Sequence, residues 1–289
     1  MEDDLGSYLR GERLYGDDFD ARQIARWFED EKEASVDLWY GDHTTYLDHA
    51  VNSRHGFRFL PPGRFARVLG FGSAYGEEFR PILSRVDSIT IVESSDRYAR
   101  REIGGVPAVY VRPRPDGTLP FPDDQFDLET CLGVLHHIPN VTWVVGELYR
   151  CLRPGGSLLV HEPTVSMGDW TKPRPGLTPR ERGIPPRILA RIATSTGFEV
   201  VHERTCCSEI MNRLANRFRW AVKNSMPMVV IDEVLCRFLL RNPPYHPSER
   251  VKNLMPLSVF YVLRKPGASD AARLTERAAS RGSLSPPGG

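Results

Sequence analysis

The sequence predicts an α/β fold: a doubly wound, mostly parallel sheet of seven strands. Two observations carry this. Short apolar runs recur near 66–71, 88–93, 107–111, 126–131, 157–162 and 198–203, with a last one at 257–263, and helical spacing separates several of them. A loop of small residues, Gly70, Gly72, Ser73, Ala74 and Gly76, follows the first run. Repeated strand–helix alternation builds a parallel sheet covered on both faces. A small-residue loop after the first strand is where such sheets let a ligand approach the backbone.

The elements are justified in chain order. Asp20 is an N-cap residue for a helix reaching Lys32, with Ile24, Trp27 and Phe28 on one face. A second helix is expected over 44–51, and Pro61-Pro-Gly63 closes this N-terminal part. After the small-residue loop, a helix is expected to open at Gly76. The run Ile89-Thr-Ile-Val92 ends in Glu93, followed by Ser94. A carboxylate at the end of the second strand suits hydrogen bonds from ribose hydroxyls. Further on, Val141, Val144, Val145, Leu148 and Leu152 share a helix face; Arg150 and Arg153 sit in its last turn, and Pro154-Gly155-Gly156 stops it. Another helix is expected over 186–195. Two more, near 208–222 and 228–240, fall between the sixth and seventh strands.

Whole-chain properties exclude several classes. With 38 basic and 37 acidic residues in 289, global charge gives no pull toward DNA. No apolar run approaches the roughly 20 residues of a membrane span. The start of the chain is acidic and unlike a signal peptide. The five cysteines, Cys131, Cys151, Cys206, Cys207 and Cys236, form no Cys-x-x-Cys pair and read as thiols of a reducing cytoplasm. The adjacent Cys206 and Cys207 are expected to be idle or buried, with metal binding or a strained disulfide as the rarer alternatives.

Three downstream segments complete a pattern: Asp116-Gly-Thr-Leu-Pro-Phe-Pro-Asp-Asp-Gln-Phe-Asp-Leu128, Val134-Leu-His-His-Ile-Pro139 and Glu147-Leu-Tyr-Arg-Cys-Leu-Arg-Pro-Gly-Gly-Ser-Leu-Leu-Val160. With the loop and Glu93, they make residues 66–204 resemble the class I S-adenosylmethionine-dependent methyltransferases, in particular the type 11 group. The resemblance implies a Rossmann-like sheet whose seventh strand is antiparallel. It also implies S-adenosylmethionine as cofactor, held by Gly70, Gly72, Ser73, Ala74, Gly76, Glu93, Ser94, Asp116, Gly117 and Leu132. Two positions depart from the family pattern: Gly70 stands where an acid is usual, and Ala74 where a glycine is usual. Glu77 or Glu78 could supply the missing carboxylate. Asp116 either reaches the adenine amino group or is a turn residue beside Gly117.

The domain reading follows. Residues 1–56 form a helical lid, 57–204 plus 256–265 the cofactor-binding core, 205–255 a helical cap insertion, and 266–289 a disordered tail. His136 and His137 are the candidate catalytic groups, one packing and one, His137, facing the cleft. His161, Glu162 and His43 are rivals. No third ligand is evident beside the histidine pair, so no metal is expected. The insertion carries Arg213, Arg217, Arg219, Lys223, Arg237, Arg241, Arg250 and Lys252 against four acids. These are either solvated helix faces or contacts to a phosphate-bearing acceptor. Its apolar residues pack the cap or a homodimer contact.

The expected activity is methyl transfer to a small-molecule acceptor, an oxygen on a sugar or other polar metabolite. Leu14-Tyr-Gly-Asp-Asp18 and Gly70–Ala74 resemble methyltransferases of cell-surface sugar pathways, and secondary-metabolite pathways are the other expectation. The alternatives are a non-catalytic S-adenosylmethionine-binding scaffold on the same fold, and a methyltransferase acting on protein or RNA. Asn242-Pro-Pro-Tyr245 lies in the insertion rather than after the fourth strand, and is read as coincidence.

Overall fold

A computed structural model describes residues 2–32, 34, 46–170, 172, 174–218, 221–239 and 244–267. Eight strands form one sheet in the order β3-β4-β2-β1-β5-β6-β8-β7. They are β1 (Val68–Phe71), β2 (Ile89–Val92), β3 (Glu102–Ile103), β4 (Val106–Val111), β5 (Phe126–Leu132), β6 (Leu152–Pro163), β7 (Glu199–Ser208) and β8 (Pro256–Arg264). Strands β4, β2, β1, β5 and β6 pair in parallel, and β8 runs antiparallel to both β6 and β7. The eighth strand, beyond the seven expected, is the two-residue β3. It folds back on β4 through Gly104 and Gly105, which both take positive φ (54° and 84°).

The central strands read as near-continuous apolar runs because both faces are covered. Val68, Leu69, Ile91 and Leu128 are at most 1 % exposed. One core packs α4 (Val141–Cys151) and α5 (Pro186–Thr196) on the side of Leu158, Val160 and Tyr261. The other packs α3 (His49–His55) on the side of Leu159, Phe260 and Val262. Chain order reverses at β1, since β2 leaves on one side and β5 joins on the other. The carboxyl edge there is the usual ligand crevice.

Three helices depart from expectation. α1 (Glu2–Leu9) was not read from the sequence at all. α3 begins at His49, with Asp48 before it, rather than at residue 44; Thr44 and Thr45 lie outside the described residues. After Gly76 the chain forms a 3-10 run, Glu77–Arg85, not an α-helix. Pro81 inside it has no N–H and biases Arg80 away from α geometry. By contrast α2 (Ala21–Glu31) forms as read: Asp20 accepts from the Gln23 N–H, and Gln23 returns the bond to the Asp20 N–H at 2.9 Å. The segment between β7 and β8 holds α6 (Glu209–Phe218), α7 (Met226–Cys236) and the short α8 (Glu249–Lys252). Among the described residues no helix is long and apolar enough to cross a membrane.

Candidate active site

The small-residue loop leaves β1 at Gly72, whose φ is 66°. A Cβ at Gly72 would stand 2.6 Å from Val134 Cγ1, so any side chain there collides with the loop after β5. Ala74 also takes positive φ, 45°, which explains why the family prefers glycine at this position. The Ala74 N–H donates to Glu93 Oε2 at 2.9 Å, and its carbonyl accepts from the Tyr110 hydroxyl at 2.9 Å. Glu93 Oε1 accepts from the Ser94 N–H at 2.8 Å. Burial pushes the Glu93 carboxyl above the ordinary range, and these N–H groups oppose that. The structure therefore brings Gly72, Ser73, Ala74, Glu93 and Ser94 together.

At Gly70 an added Cβ would lie 2.4 Å from Ser73 Oγ. The serine hydroxyl thus fills the space a side chain at this position would need. A carboxyl lies nearby in Glu78. Only 3 % exposed, it turns back under the loop, where the Ser73 and Thr130 hydroxyls bind it, the latter at 3.4 Å. Burial pushes its carboxyl up to about 7, and the Glu93 charge adds to the rise. Glu77, the other sequence candidate, instead pairs with Arg80.

The second half of the site is the turn after β5. Glu162, fully buried at the end of β6, collects the N–H groups of Val134 (2.9 Å), Leu135 (2.8 Å) and His136 (3.2 Å), and the His136 ring at Nδ1 (2.8 Å). Burial disfavours its charge, yet these donors hold its carboxyl below the ordinary range. From the other side Arg182, also fully buried, binds the carbonyls of Leu135 (3.1 Å), His136 (3.1 Å), Ile138 (2.8 Å) and Pro139 (3.3 Å). Its Nε–H reaches the Tyr15 carbonyl at 2.8 Å, and its guanidinium lies over Trp27. The carboxylate holds the amides and the guanidinium holds the carbonyls, which leaves the turn little freedom. Arg182 was missed in the sequence, where nothing marks a lone Arg as a carbonyl clamp.

The two histidines do not diverge as expected. On this tight turn their rings lie 4.0 Å apart, and both Nε2 atoms approach Glu181 Oε2, at 3.9 Å for His136 and 3.5 Å for His137. His137 is the more open, its side chain 22 % exposed against 11 % for His136. Helix α2 reaches it: Glu31 Oε2 sits 2.8 Å from His137 Nδ1, and Trp27 donates to the His137 carbonyl at 2.7 Å. Burial lowers the His137 pKa, and the neighbouring His136 lowers it further against the pull of Glu31. Glu181 was also absent from the sequence reading, and it overturns the argument that no third ligand lies near. Ligand atoms of His136, His137 and Glu181 lie within 4.8 Å of one another and could hold a cation.

Other sequence candidates fall elsewhere. Asp116 is exposed, and its carboxylate accepts from the Thr118 N–H at 2.9 Å, closing a turn in which Gly117 has φ 80°. Gly76 caps the 3-10 run in left-handed geometry. Leu132 ends β5 beside His161. His161 faces Cys206 rather than the histidine turn. His43, Arg219 and Arg241 lie outside the described residues. In the insertion Arg213 pairs with Glu209, Lys223 with Asp48 and Arg237 with Glu233, so at least these cations are engaged within the fold.

A loop of small residues, an acid on the next strand and an ordered turn after β5 meet at the carboxyl edge of a Rossmann-like sheet. The comparisons with known proteins agree. Residues 44–203 match the profile described as a methyltransferase domain. The chain belongs to that family, the class I S-adenosylmethionine-dependent methyltransferases. A ubiquinone/menaquinone biosynthesis C-methyltransferase of Marinomonas sp. is 33% identical over 129 residues, covering 42% of this chain and 50% of the relative. The chain spans about half the length of such curated relatives, or less. In fold it is similar to phosphoethanolamine N-methyltransferase 2 of Haemonchus contortus in complex with S-adenosyl-L-methionine. That TM-score is 0.55 at 16% identity, over 84% of this chain and 60% of that one. It is also similar to the [4+2]-cyclase SpnF, with a TM-score of 0.52 at 17% identity over 86% and 97%.

The residues present fit the family's cofactor. Glu78 is a buried carboxyl and Glu93 a half-buried one, and their strongest neighbours among the described residues are hydroxyls, N–H groups and, for Glu78, Glu93. None of these is a cation. S-adenosylmethionine carries a sulfonium, an ammonium and a ribose diol, the complement of such a pair.

Proposed function

We propose that this protein transfers a methyl group from S-adenosylmethionine to a hydroxyl oxygen of a polar small molecule, with His137 as general base. When bound, the cofactor supplies a methyl group on a positive sulfur, already electrophilic. The protein's own work is binding, alignment and proton removal. Glu93 accepts the ribose hydroxyls, the Gly72–Ala74 backbone passes close to the nucleoside, and Glu78 takes the amino group in place of the acid missing at Gly70. His137 donates Nδ1–H to Glu31, a tautomer assigned from that 2.8 Å contact, which leaves the Nε2 lone pair for the acceptor's proton. The single observation that carries this reading is that imidazole: partly open and held neutral by burial beside the turn after β5.

The N-terminal segment acts as the lid, since α2 supplies both Glu31 and Trp27 to the histidine turn. Residues 205–255 form the cap that chooses the acceptor, and Arg250 and Lys252, in no ion pair among the described residues, would favour a phosphate-bearing one. Ile231, Val234 and Phe238 on and just after α7 are 47 % exposed or more, the surface on which a homodimer would form. Five buried free thiols suit a reducing compartment such as the cytoplasm. The test is turnover: S-adenosylhomocysteine release, with mass spectrometry of the products, against a panel of sugars, sugar phosphates and phenols. Methyl transfer only to amines or carbon acids, or none with cofactor bound, would refute the oxygen assignment.

A further inference from the structure

Cys206 and Cys207 lie near the end of β7, on the far side of β8 from His161. Consecutive side chains of a strand point to opposite faces. Cys206, opposite Ser258, shares the face of His161, Leu159 and Phe260. Cys207 should point away, and it does not. Its φ is 59°, left-handed for a residue with a Cβ. That conformation costs about 1–2 kcal/mol and concentrates at functional sites. The bend is held from outside. Asp232 of α7 accepts the N–H groups of Cys207 (2.7 Å) and Ser208 (2.9 Å) and the Ser208 hydroxyl (2.6 Å).

The result is a cluster in which one ring nitrogen of His161 and both sulfurs lie within 4.8 Å of one another, all three residues buried. Cys206 Sγ is 3.8 Å from His161 Nε2. Sulfur and nitrogen bound to one tetrahedral zinc, at about 2.3 and 2.05 Å, stand roughly 3.5 Å apart. That pair therefore needs to close by only a few tenths of an ångström, and Cys207 Sγ lies within 4.8 Å of both. We propose that His161, Cys206 and Cys207 form a binding site for a borderline-to-soft d10 cation, with zinc as its natural occupant.

The donor set selects such an ion over magnesium or calcium, which prefer oxygen. Two thiolates and a neutral imidazole around a divalent ion carry no net charge, which an enclosed apolar setting tolerates. The nearby Lys223 ammonium is paired with Asp48 at 3.4 Å. His55, 1 % exposed with neither ring nitrogen bonded among the described residues, packs on the same Phe260 ring that stacks on His161. Three protein ligands leave a fourth position for water or a small ligand. The ion would tie the start of the insertion to β6, one strand beyond β8.

The test uses the full chain, reduced, stripped with a chelator and titrated with zinc against a chromophoric competitor. Cobalt serves as a spectroscopic probe. The expected result is one ion per chain and a sulfur-to-cobalt charge-transfer band in the near ultraviolet. Cys206→Ser and Cys207→Ser should each weaken that band and zinc binding, and the double variant should lose the band altogether. Cys236→Ser should change neither. Cys207→Gly, which relieves the left-handed strain, should melt above wild type without metal and no longer respond to zinc. The proposal is overturned if the reduced wild-type chain takes up no stoichiometric zinc, or binds cobalt without a thiolate band. A Cys206–Cys207 disulfide that persists in reductant also overturns it. Should the serine variants fail to fold, the wild-type cobalt spectrum alone decides.

Discussion

Glu78→Gln separates a charge stored for a ligand from a merely structural acid. The Glu78 carboxyl titrates near 7 in the fold, against an ordinary value of 4.5. Its folded pKa is raised, so the neutral form is the one the fold prefers. The stability it contributes is complete below about pH 4.5 and is lost as the pH rises through about 7. A rise from 4.5 to about 7, at about 1.4 kcal/mol per pH unit, corresponds to about 3 kcal/mol lost by pH 8. Glutamine keeps the shape and hydrogen-bonding reach toward Ser73 and Thr130 without the charge. The variant should therefore lie within about 1 kcal/mol of wild type at pH 5 and exceed it by about 3 kcal/mol at pH 8. Urea denaturation across pH 5–8 reads the difference. Calorimetry in two buffers of different ionisation enthalpy should also show proton release when wild type binds S-adenosylmethionine near pH 6. The variant should release none and bind more weakly. Parallel stability curves for the two proteins would refute the burial argument. Parallel curves in proton release would refute Glu78 as the partner of the amino group.

Four further outcomes are expected. Glu93→Ala should weaken S-adenosylmethionine binding by about 1.5–3 kcal/mol, tenfold to more than hundredfold in titration calorimetry, because a charged acceptor and the Ala74 N–H anchor are both lost. Gly72→Val should abolish binding while far-ultraviolet circular dichroism stays native, since the new side chain would push into Val134; a folded variant of normal affinity would dismiss the loop. Ala74→Gly should raise the unfolding free energy by about 1 kcal/mol and leave cofactor affinity intact, as a left-handed residue loses its Cβ. His137→Ala should lower kcat by about 10²–10⁴ with cofactor binding unchanged, and an unaltered rate would remove the base.

The sheet was legible in the sequence because its signals are local. Apolar runs such as Ile89–Val92 and helix starts such as Asp20 depend on neighbours a few residues away, and they formed as read. The loop and Glu93 were legible too, since a crossover of fixed length brings them to one sheet edge. Pro81 is a local signal as well, and it keeps the segment after Gly76 from forming an α-helix. The surroundings of the histidine turn were not legible. Glu31, Glu181 and Arg182 reach the histidine turn from 106, 44 and 46 positions away, and no local pattern links positions so far apart. The bend at Cys207 was hidden for the same reason: it is imposed by Asp232, 25 residues later. Sequence alone determined the seven longer strands and the fold class, because hydrogen-bonded ladders and apolar burial obey short-range rules. Only the tertiary structure decided which acids, imidazoles and thiols meet, because burial and charge pairing depend on distances that chain order does not encode.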